Sequence, residues 1–362
     1  MDKVQVAVVG CGNISGIYLK NLTEKYTNIH VYAVSDLIEE NVRKAAQEYQ
    51  VEKILTLEEI LADDRVEIVL NLTTPPLHYD LSKKILLAGK HVYVEKPLAL
   101  TYAEGKELVA LAEERGLLIG CAPDTFLGSG LQTCRKIIDD GLVGDVIGAS
   151  CFMMCHGHES WHPNPAFYYK IGGGPLFDMG PYYLTALVQM IGSVKSVSGM
   201  ASISMTTRKI TSQPNYGKTI KVEVPTHVNG LLRFANGALG SLIMSFDVWG
   251  SYLPRIEVYG TRGSLVAPDP NTFGGEVLLK QYFDQDFYRY PLIAENAENC
   301  RGIGLWDMAE CLRSNRKDVR ASGKMALHVL EIMESIHKSS QEGIQVELES
   351  TCEKPQPLPL QL

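Results

Sequence analysis

No run of apolar residues in this chain approaches the ~20 needed to span a bilayer. The N-terminal Met1-Asp2-Lys3 leads straight into an apolar strand, without the small-residue cleavage site of a secretory signal. A membrane-spanning or exported chain is therefore not expected, and the cytoplasm is the expected location. A basic surplus is lacking as well: 34 Lys and Arg stand against 42 Asp and Glu, a net charge of -8 that gives no footprint for nucleic acid or an anionic membrane. The eight cysteines (Cys11, Cys121, Cys134, Cys151, Cys155, Cys300, Cys311, Cys352) include no Cys-x-x-Cys pair. That excludes a zinc ribbon and a disulfide framework, and leaves most of them reduced and buried. There is no internal repeat and no low-complexity tract. What is there is 362 residues with 45% hydrophobic content, ample for a core and for roughly two domains, with small molecules as the expected partners.

The chain opens with a strand over 4–9, then Gly10-Cys11-Gly12-Asn13-Ile14-Ser15-Gly16, then a helical pattern through Tyr18, Leu19 and Leu22. A Gly-x-Gly turn between a strand and a helix is the context of a dinucleotide site. Gly10 allows the tight turn, Gly12 lets the backbone approach a pyrophosphate, and the amides of the helix start, at Asn13 and Ile14, receive its charge. Ser15 occupies the third glycine position and is small enough for close packing. After a second strand over 31–34 comes Asp36, about 20 residues past Gly16, where a ribose-binding carboxylate belongs. It would accept from the 2'-hydroxyl and repel a 2'-phosphate, which favours NAD over NADP. The plainer alternatives are a simple glycine turn and a helix cap at Asp36.

Helical periodicity over 39–49, 77–87 and 102–115 alternates with strands over 66–72, 91–94 and 117–121, the pattern of a doubly wound parallel sheet. Two loops then reach the edge that carries Gly10. Thr73-Thr74-Pro75-Pro76 follows one strand, with His78 at the start of the next helix. Glu95-Lys96-Pro97 follows another, and Pro97 fixes the backbone behind the Lys96 ammonium. Thr73, Thr74, Pro75, His78, Glu95 and Lys96 join Gly10, Gly12, Asn13, Ile14 and Asp36 as cofactor-binding candidates. A surface ion pair at Glu95-Lys96 and a satisfied histidine at position 78 are the bland readings.

Gly10-x-Gly12, Asp36, Thr74-Pro75-Pro76-x-His78 and Glu95-Lys96-Pro97, in this order, resemble the glucose-fructose oxidoreductase / inositol dehydrogenase / rhizopine-catabolism family of nicotinamide-dependent sugar oxidoreductases. The resemblance covers nearly the whole chain. It implies an N-terminal Rossmann domain and a second domain built on a large, mostly antiparallel open sheet, with substrate held between the two.

The second half of the sequence agrees with that expectation. A helix over 131–139, a turn at 141–144 and a strand over 146–154 precede a series of strand-like runs at 194–203, 218–224, 227–234, 238–246, 255–259 and 276–282. Asn236-Gly237 marks a hairpin. Helices return at 302–312 and 324–338, and Pro355, Pro357 and Pro359 predict an extended or loose end. The expected domains are 1–123 for NAD, 124–343 for substrate and oligomerisation, and 344–362 as a tail. One face of the antiparallel sheet is free to meet another subunit, so a homo-oligomer, dimer or tetramer, is expected.

In Gly172-Gly173-Gly174-Pro175-Leu176-Phe177-Asp178-Met179-Gly180-Pro181-Tyr182, Asp178 and Tyr182 are four apart and share a helical face. The family has an Asp after such a glycine run and, four residues on, usually a His. Tyr182 departs from that pattern and is similar to the glucose-fructose oxidoreductase and dihydrodiol / xylose dehydrogenase members. Lys96, Tyr182 and Asp178 are the catalytic candidates, with a packed aromatic as the alternative for Tyr182. A tyrosine of ordinary pKa near 10 is a poor base at neutral pH, but an adjacent ammonium favours its phenolate. In His156-Gly157-His158-Glu159-Ser160-Trp161-His162-Pro163-Asn164, the residues Trp161, His162 and Asn164 are expected to face a polyhydroxylated ring. A metal held by His156, His158, Glu159 and His162 is a sharper alternative for this loop, but the spacing has no matching cluster elsewhere in the sequence and no metal is expected. Together these readings predict an NAD-dependent dehydrogenase acting on a secondary alcohol of a sugar, cyclitol or glycoside. The alternatives are an enzyme that retains NAD for epimerisation or elimination, and a non-catalytic NAD-binding sensor.

Overall fold

The computed structural model describes residues 2–359; Met1 and residues 360–362, the ends of the expected first domain and tail, lie outside them. The chain divides into two compact units, residues up to 127 with 298–330, and residues 128–297 with those from 331 on.

The first unit is built on a six-stranded sheet. Its strands are β1 (Val4–Val9), β2 (Ile29–Ser35), β3 (Lys53–Ile54), β4 (Ile68–Asn71), β5 (His91–Val94) and β6 (Ile119–Cys121), in the spatial order β3-β2-β1-β4-β5-β6. Every adjacent pair is parallel. β1 and β4 are almost wholly buried, as near-continuous apolar strands covered by helices on both faces should be. The helices between them are α1 (Ser15–Glu24), α2 (Glu39–Glu48), α3 (Leu57–Ala62), α4 (Pro75–Leu87) and α5 (Tyr102–Glu114). Thr56 with Glu59, and Thr101 with Glu104, close reciprocal capping boxes at the starts of α3 and α5. α4 starts on Pro75-Pro76, whose fixed φ suits the first helical turn, two residues before the expected start at 77. The order of the strands reverses between β1 and β4, so the crevice of a doubly wound sheet opens beyond their carboxyl ends.

The second unit contains α6 (Ser129–Asp139), β7 (Val146–Met154), α7 (Gly174–Ile191), β8 (Val194–Ser202), the small ribbon of β9 (Thr207–Lys209) and β10 (Thr219–Lys221), and then β11 (His227–Phe234), β12 (Leu239–Ser245), β13 (Ile256–Gly260), β14 (Gly263–Ala267), β15 (Val277–Gln281) and β16 (Tyr288–Tyr290). α8 (Ile303–Arg313) belongs to the first unit, the division between the units falls within α9 (Gly323–Glu342), and β17 (Val346–Glu347) returns to the second. Nine strands form one sheet in the order β16-β15-β14-β13-β7-β12-β11-β8-β17. The pairing is antiparallel except between β12 and β7. β11 alternates buried and exposed residues along its length, the signature of a sheet covered on one face. The Asn236-Gly237 turn joins it to β12 as expected, with Gly237 at φ +91°. α7 is buried on all sides from Gly180 onward, and Pro181 interrupts its hydrogen-bond ladder without ending it.

Three features differ from the sequence reading. The segment 298–330 joins the first unit because α8 packs there. The buried Asp124 carboxylate accepts from the amides of Gly302 and Gly304, and the Cys121 amide donates to Ala321. The run at 218–224 contributes only β10, which pairs with β9 apart from the large sheet. The tail is extended but tied down: β17 pairs with β8, the Glu331 carboxylate accepts from the amides of Glu349 and Ser350, and Gln132 accepts from the Leu358 amide.

Candidate functional site

β1, β4 and β5 are consecutive in the first sheet, so the loops after them begin within about 10 Å of one another. Gly10 has φ +100°, and a Cβ there would lie 2.7 Å from the carbonyl carbon of Leu72; the position admits only glycine. Above Gly12 there is open space, with nothing within 4 Å of where a Cβ would be. No side chain caps the start of α1, and its first turn carries no acidic residue. The Asp36 carboxylate holds the turn from the end of β2, accepting from the Cys11 amide at 2.6 Å and the Ile38 amide at 2.7 Å. Each oxygen keeps a lone pair for a further donor. An open cradle, an uncapped helix start and a carboxylate at the neighbouring strand end fit a dinucleotide, with the amides at Gly12, Asn13 and Ile14 toward its phosphates and Asp36 toward a ribose.

Lys96 is half-buried and precedes a cis bond to Pro97. Glu95 is buried beneath it, one oxygen accepting from the Lys96 amide and the other from the Tyr18 hydroxyl, both at 2.8 Å. Glu95 therefore fixes the main chain at Lys96 and does not face outward. Thr73 is held by its amide and hydroxyl on Asn71 Oδ1. His78, expected near the cofactor, has its ring turned into the protein. It is fully buried, with Nδ1 2.7 Å from the Pro97 carbonyl and Nε2 2.9 Å from that of Thr73, so it links the two loops from behind. Burial pushes its pKa down, against the pull of the two carbonyls. Asp124, which the sequence did not single out, lies deeper in this unit. Burial raises its carboxyl to about 6 although the amides of Gly304 and Gly302 favour the charged form.

In the second unit Gly174 begins α7 at φ +82°, where a Cβ would meet the Pro225 carbonyl at 2.9 Å. This turn puts Asp178 and Tyr182 on successive turns of one helix, the first half-buried and the second 9% exposed. His158 comes to Asp178 from the loop after β7, with Nε2 3.5 Å from Oδ2. Its ring is enclosed by Tyr168, stacked at 3.9 Å between centroids, by the edge of Phe246 and by Trp161. Glu159 turns the other way, to Tyr169 and to Arg208 at 2.7 Å, and Arg208 also pairs with Asp247. Burial would raise the Glu159 carboxyl, but the hydrogen bonds from Tyr169 and Arg208 win and hold it below the usual range.

Of the residues expected to face substrate, Trp161 is 63% exposed, Asn164 is exposed, and the half-buried His162 ring accepts from the Asn164 amide. His156 stacks on Trp249 at 3.3 Å. The possible metal ligands of this loop thus face different partners, and among the described residues no group of three or more His, Cys, Asp or Glu side chains is arranged to hold a metal. His158 as a neighbour of Asp178, and Arg208 as the anchor of its loop, were not read from the sequence. Their charged partners lie 20 positions away for His158 and 39 and 49 for Arg208, and no local spacing announces them.

Residues 4–122 match a family model described as an oxidoreductase family with an NAD-binding Rossmann fold, and residues 131–266 match the GFO/IDH/MocA C-terminal domain. The chain belongs to the Gfo/Idh/MocA family. Members with similar sequences include a D-xylose dehydrogenase of Paenarthrobacter nicotinovorans, 28% identical across 63% of this chain and 61% of that protein. A myo-inositol 2-dehydrogenase of Thermotoga maritima is 25% identical across 73% of this chain and 75% of its own length. An uncharacterised oxidoreductase of Schizosaccharomyces pombe is 33% identical, but across only 39% of each chain, so the alignments to the first of these relatives span about six tenths of their length or less. Among solved structures, a levoglucosan dehydrogenase complexed with NADH and L-sorbose superposes with TM-score 0.82 at 19% identity, covering 96% of this chain and 99% of that one. An NAD-binding oxidoreductase of Klebsiella pneumoniae superposes with TM-score 0.83 at 20% identity, covering 95% and 99%. At these identities the likeness establishes that the Gfo/Idh/MocA fold is shared.

Proposed function

We propose that this chain is an NAD(H)-dependent dehydrogenase of a secondary alcohol in a sugar, cyclitol or glycoside. The observation that carries this reading is Lys96 at the carboxyl end of β5, on the same edge of the sheet as the open Gly12 cradle and Asp36. The relatives named as D-xylose and myo-inositol dehydrogenases, and the neighbour complexed with L-sorbose, support the carbohydrate class.

When bound, the nicotinamide supplies the hydride acceptor. Oxidation also requires removal of the hydroxyl proton, and Tyr182 takes it as general base, with the Lys96 ammonium favouring the phenolate; in reduction Tyr182 returns the proton while Lys96 stabilises the developing alkoxide. Asp178 accepts a hydrogen bond from an adjacent hydroxyl and orients the ring. Glu95, through the Lys96 amide, and His78, through the Pro97 carbonyl, are positioning residues for the lysine. Asp36 selects NAD by repelling a 2'-phosphate. Met200, Leu231 and Leu239 are exposed on one face of the large sheet, and a homo-oligomer through that face is part of the same reading.

The test is a panel of sugars, inositols and glycosides offered with NAD, following reduced nicotinamide. Turnover of at least one polyol is expected. Tight NAD binding with no turnover across the panel would overturn the dehydrogenase reading.

A further inference from the structure

Two loops of the second unit leave the large sheet side by side. β7 and β12 run parallel, with Met154 opposite Ser245, and the chains stay joined beyond the strands, the Cys155 amide donating to Ser245 and the Val248 amide to Cys155. The loops after them therefore open on the same edge, and His158 brings the start of α7 there by facing Asp178. These loops expose Trp161, Phe167 and Ile171 on one side and Trp249, Tyr252 and Leu253 on the other. A single exposed apolar residue needs no explanation, but several in adjoining loops mark a surface that meets something. Trp249 is the best defined of them. Its indole lies on the His156 ring at 14° and 3.3 Å between centroids, and 84% of the residue is exposed, so one face is backed and the other stands in solvent. Gly157, at φ +77°, turns the chain between His156 and His158. Two residues of backbone, at most about 7 Å, separate the residue that backs Trp249 from the one that faces Asp178. No charged side chain lies between Val248 and Pro254. A flat, uncharged ring held open to solvent suits the apolar C–H face of a neutral sugar ring, and an anionic group would find no counter-charge in that loop.

We propose that the open face of Trp249 is a stacking platform for a second ring of the substrate. The preferred substrate is then a glycoside or disaccharide, its oxidised ring at Asp178 and its distal ring on Trp249. The inference rests on the dehydrogenase reading and names the substrate class within it. His156 is a positioning residue: its ring fixes the tilt of the indole, so little side-chain freedom is lost when the distal ring arrives. The distal ring takes no part in the chemistry, so stacking on Trp249 is the same before and in the transition state and acts on KM.

The experiment compares an accepted monosaccharide with its alkyl and aryl glycosides and disaccharides, in wild type, Trp249→Ala and Trp249→Phe, with Tm and particle mass by light scattering measured alongside. Wild type is expected to favour at least one glycoside or disaccharide over the parent monosaccharide by about tenfold in kcat/KM. Trp249→Ala should bring that ratio close to one, mainly through KM, and Trp249→Phe should keep part of it. A wild type that turns over the monosaccharide as well as every glycoside, or a ratio unchanged in Trp249→Ala, would overturn the platform while leaving the dehydrogenase reading intact. So would an equal loss on all substrates together with a smaller particle, which would make Trp249 a subunit contact. A wild type inactive on every carbohydrate would overturn that reading and this proposal with it.

Discussion

The carboxylates of the first unit's candidate site are met largely by main-chain amides, and those of the second by side chains. Asp36 accepts from Cys11 and Ile38, Glu95 from Lys96, and Asp124 from Gly302 and Gly304. Glu159 and Asp247 instead meet Arg208, and Asp178 faces His158. A site made from turns and helix starts is set by a few glycines and short spacings. A site made from side chains is set by packing, and single substitutions on other elements can change its specificity.

The largest expected effect on stability lies in the side-chain-built region. Arg208 is 3% exposed between two carboxylates, and Arg208→Met would leave both buried without their counter-charge. We expect a loss of roughly 3–5 kcal/mol in chemical denaturation of the second unit. NAD affinity, which belongs to the first unit, should change far less. Equal losses in both properties would erase the contrast between the two regions.

Asp36→Ala probes the amide-built region. The preference for NAD over NADP should relax by about tenfold, measured as the ratio of the two dissociation constants. Because the carboxylate also holds the Cys11 and Ile38 amides, absolute NAD affinity should fall as well. A wild type that prefers NADP would contradict the assignment of this residue.

A smaller effect is expected from Asp124. Burial raises its carboxyl to about 6, above the unfolded value, so the folded state holds the proton more tightly. This group's contribution to stability is full below about pH 4 and is lost as pH rises toward 6, a change of about 2–3 kcal/mol. Asp124→Asn should remove that slope in a series of denaturation curves between pH 4 and 7. An unchanged slope would show that the amides of Gly302 and Gly304 outweigh burial.

Much of the first unit was legible because its signals are local. Gly10-x-Gly12 lies between a strand and a helix, Asp36 ends the next strand, and alternating apolar strands and amphipathic helices admit few topologies. Short elements were not legible: α3 is six residues long and buries only Ile60. Nor could periodicity tell that α8 packs on the first unit, since an amphipathic helix carries no address for its partner. In the second unit the alternation of β11 and the Asn236-Gly237 turn announced a sheet, but the Arg208–Glu159 pair spans 49 positions and the Arg208–Asp247 pair 39. His78 was visible as a polar residue near the edge, yet only the fold shows it facing inward to Thr73 and Pro97.

The central claim is that Lys96 serves the chemical step. Its most direct test is single-turnover reduction of bound NAD by an accepted polyol, in wild type and Lys96→Ala, with NAD affinity measured on the same preparations. The predicted result is a rate lower by about a thousandfold or more with NAD affinity largely kept. A Lys96→Ala enzyme that reduces NAD at the wild-type rate would contradict the account.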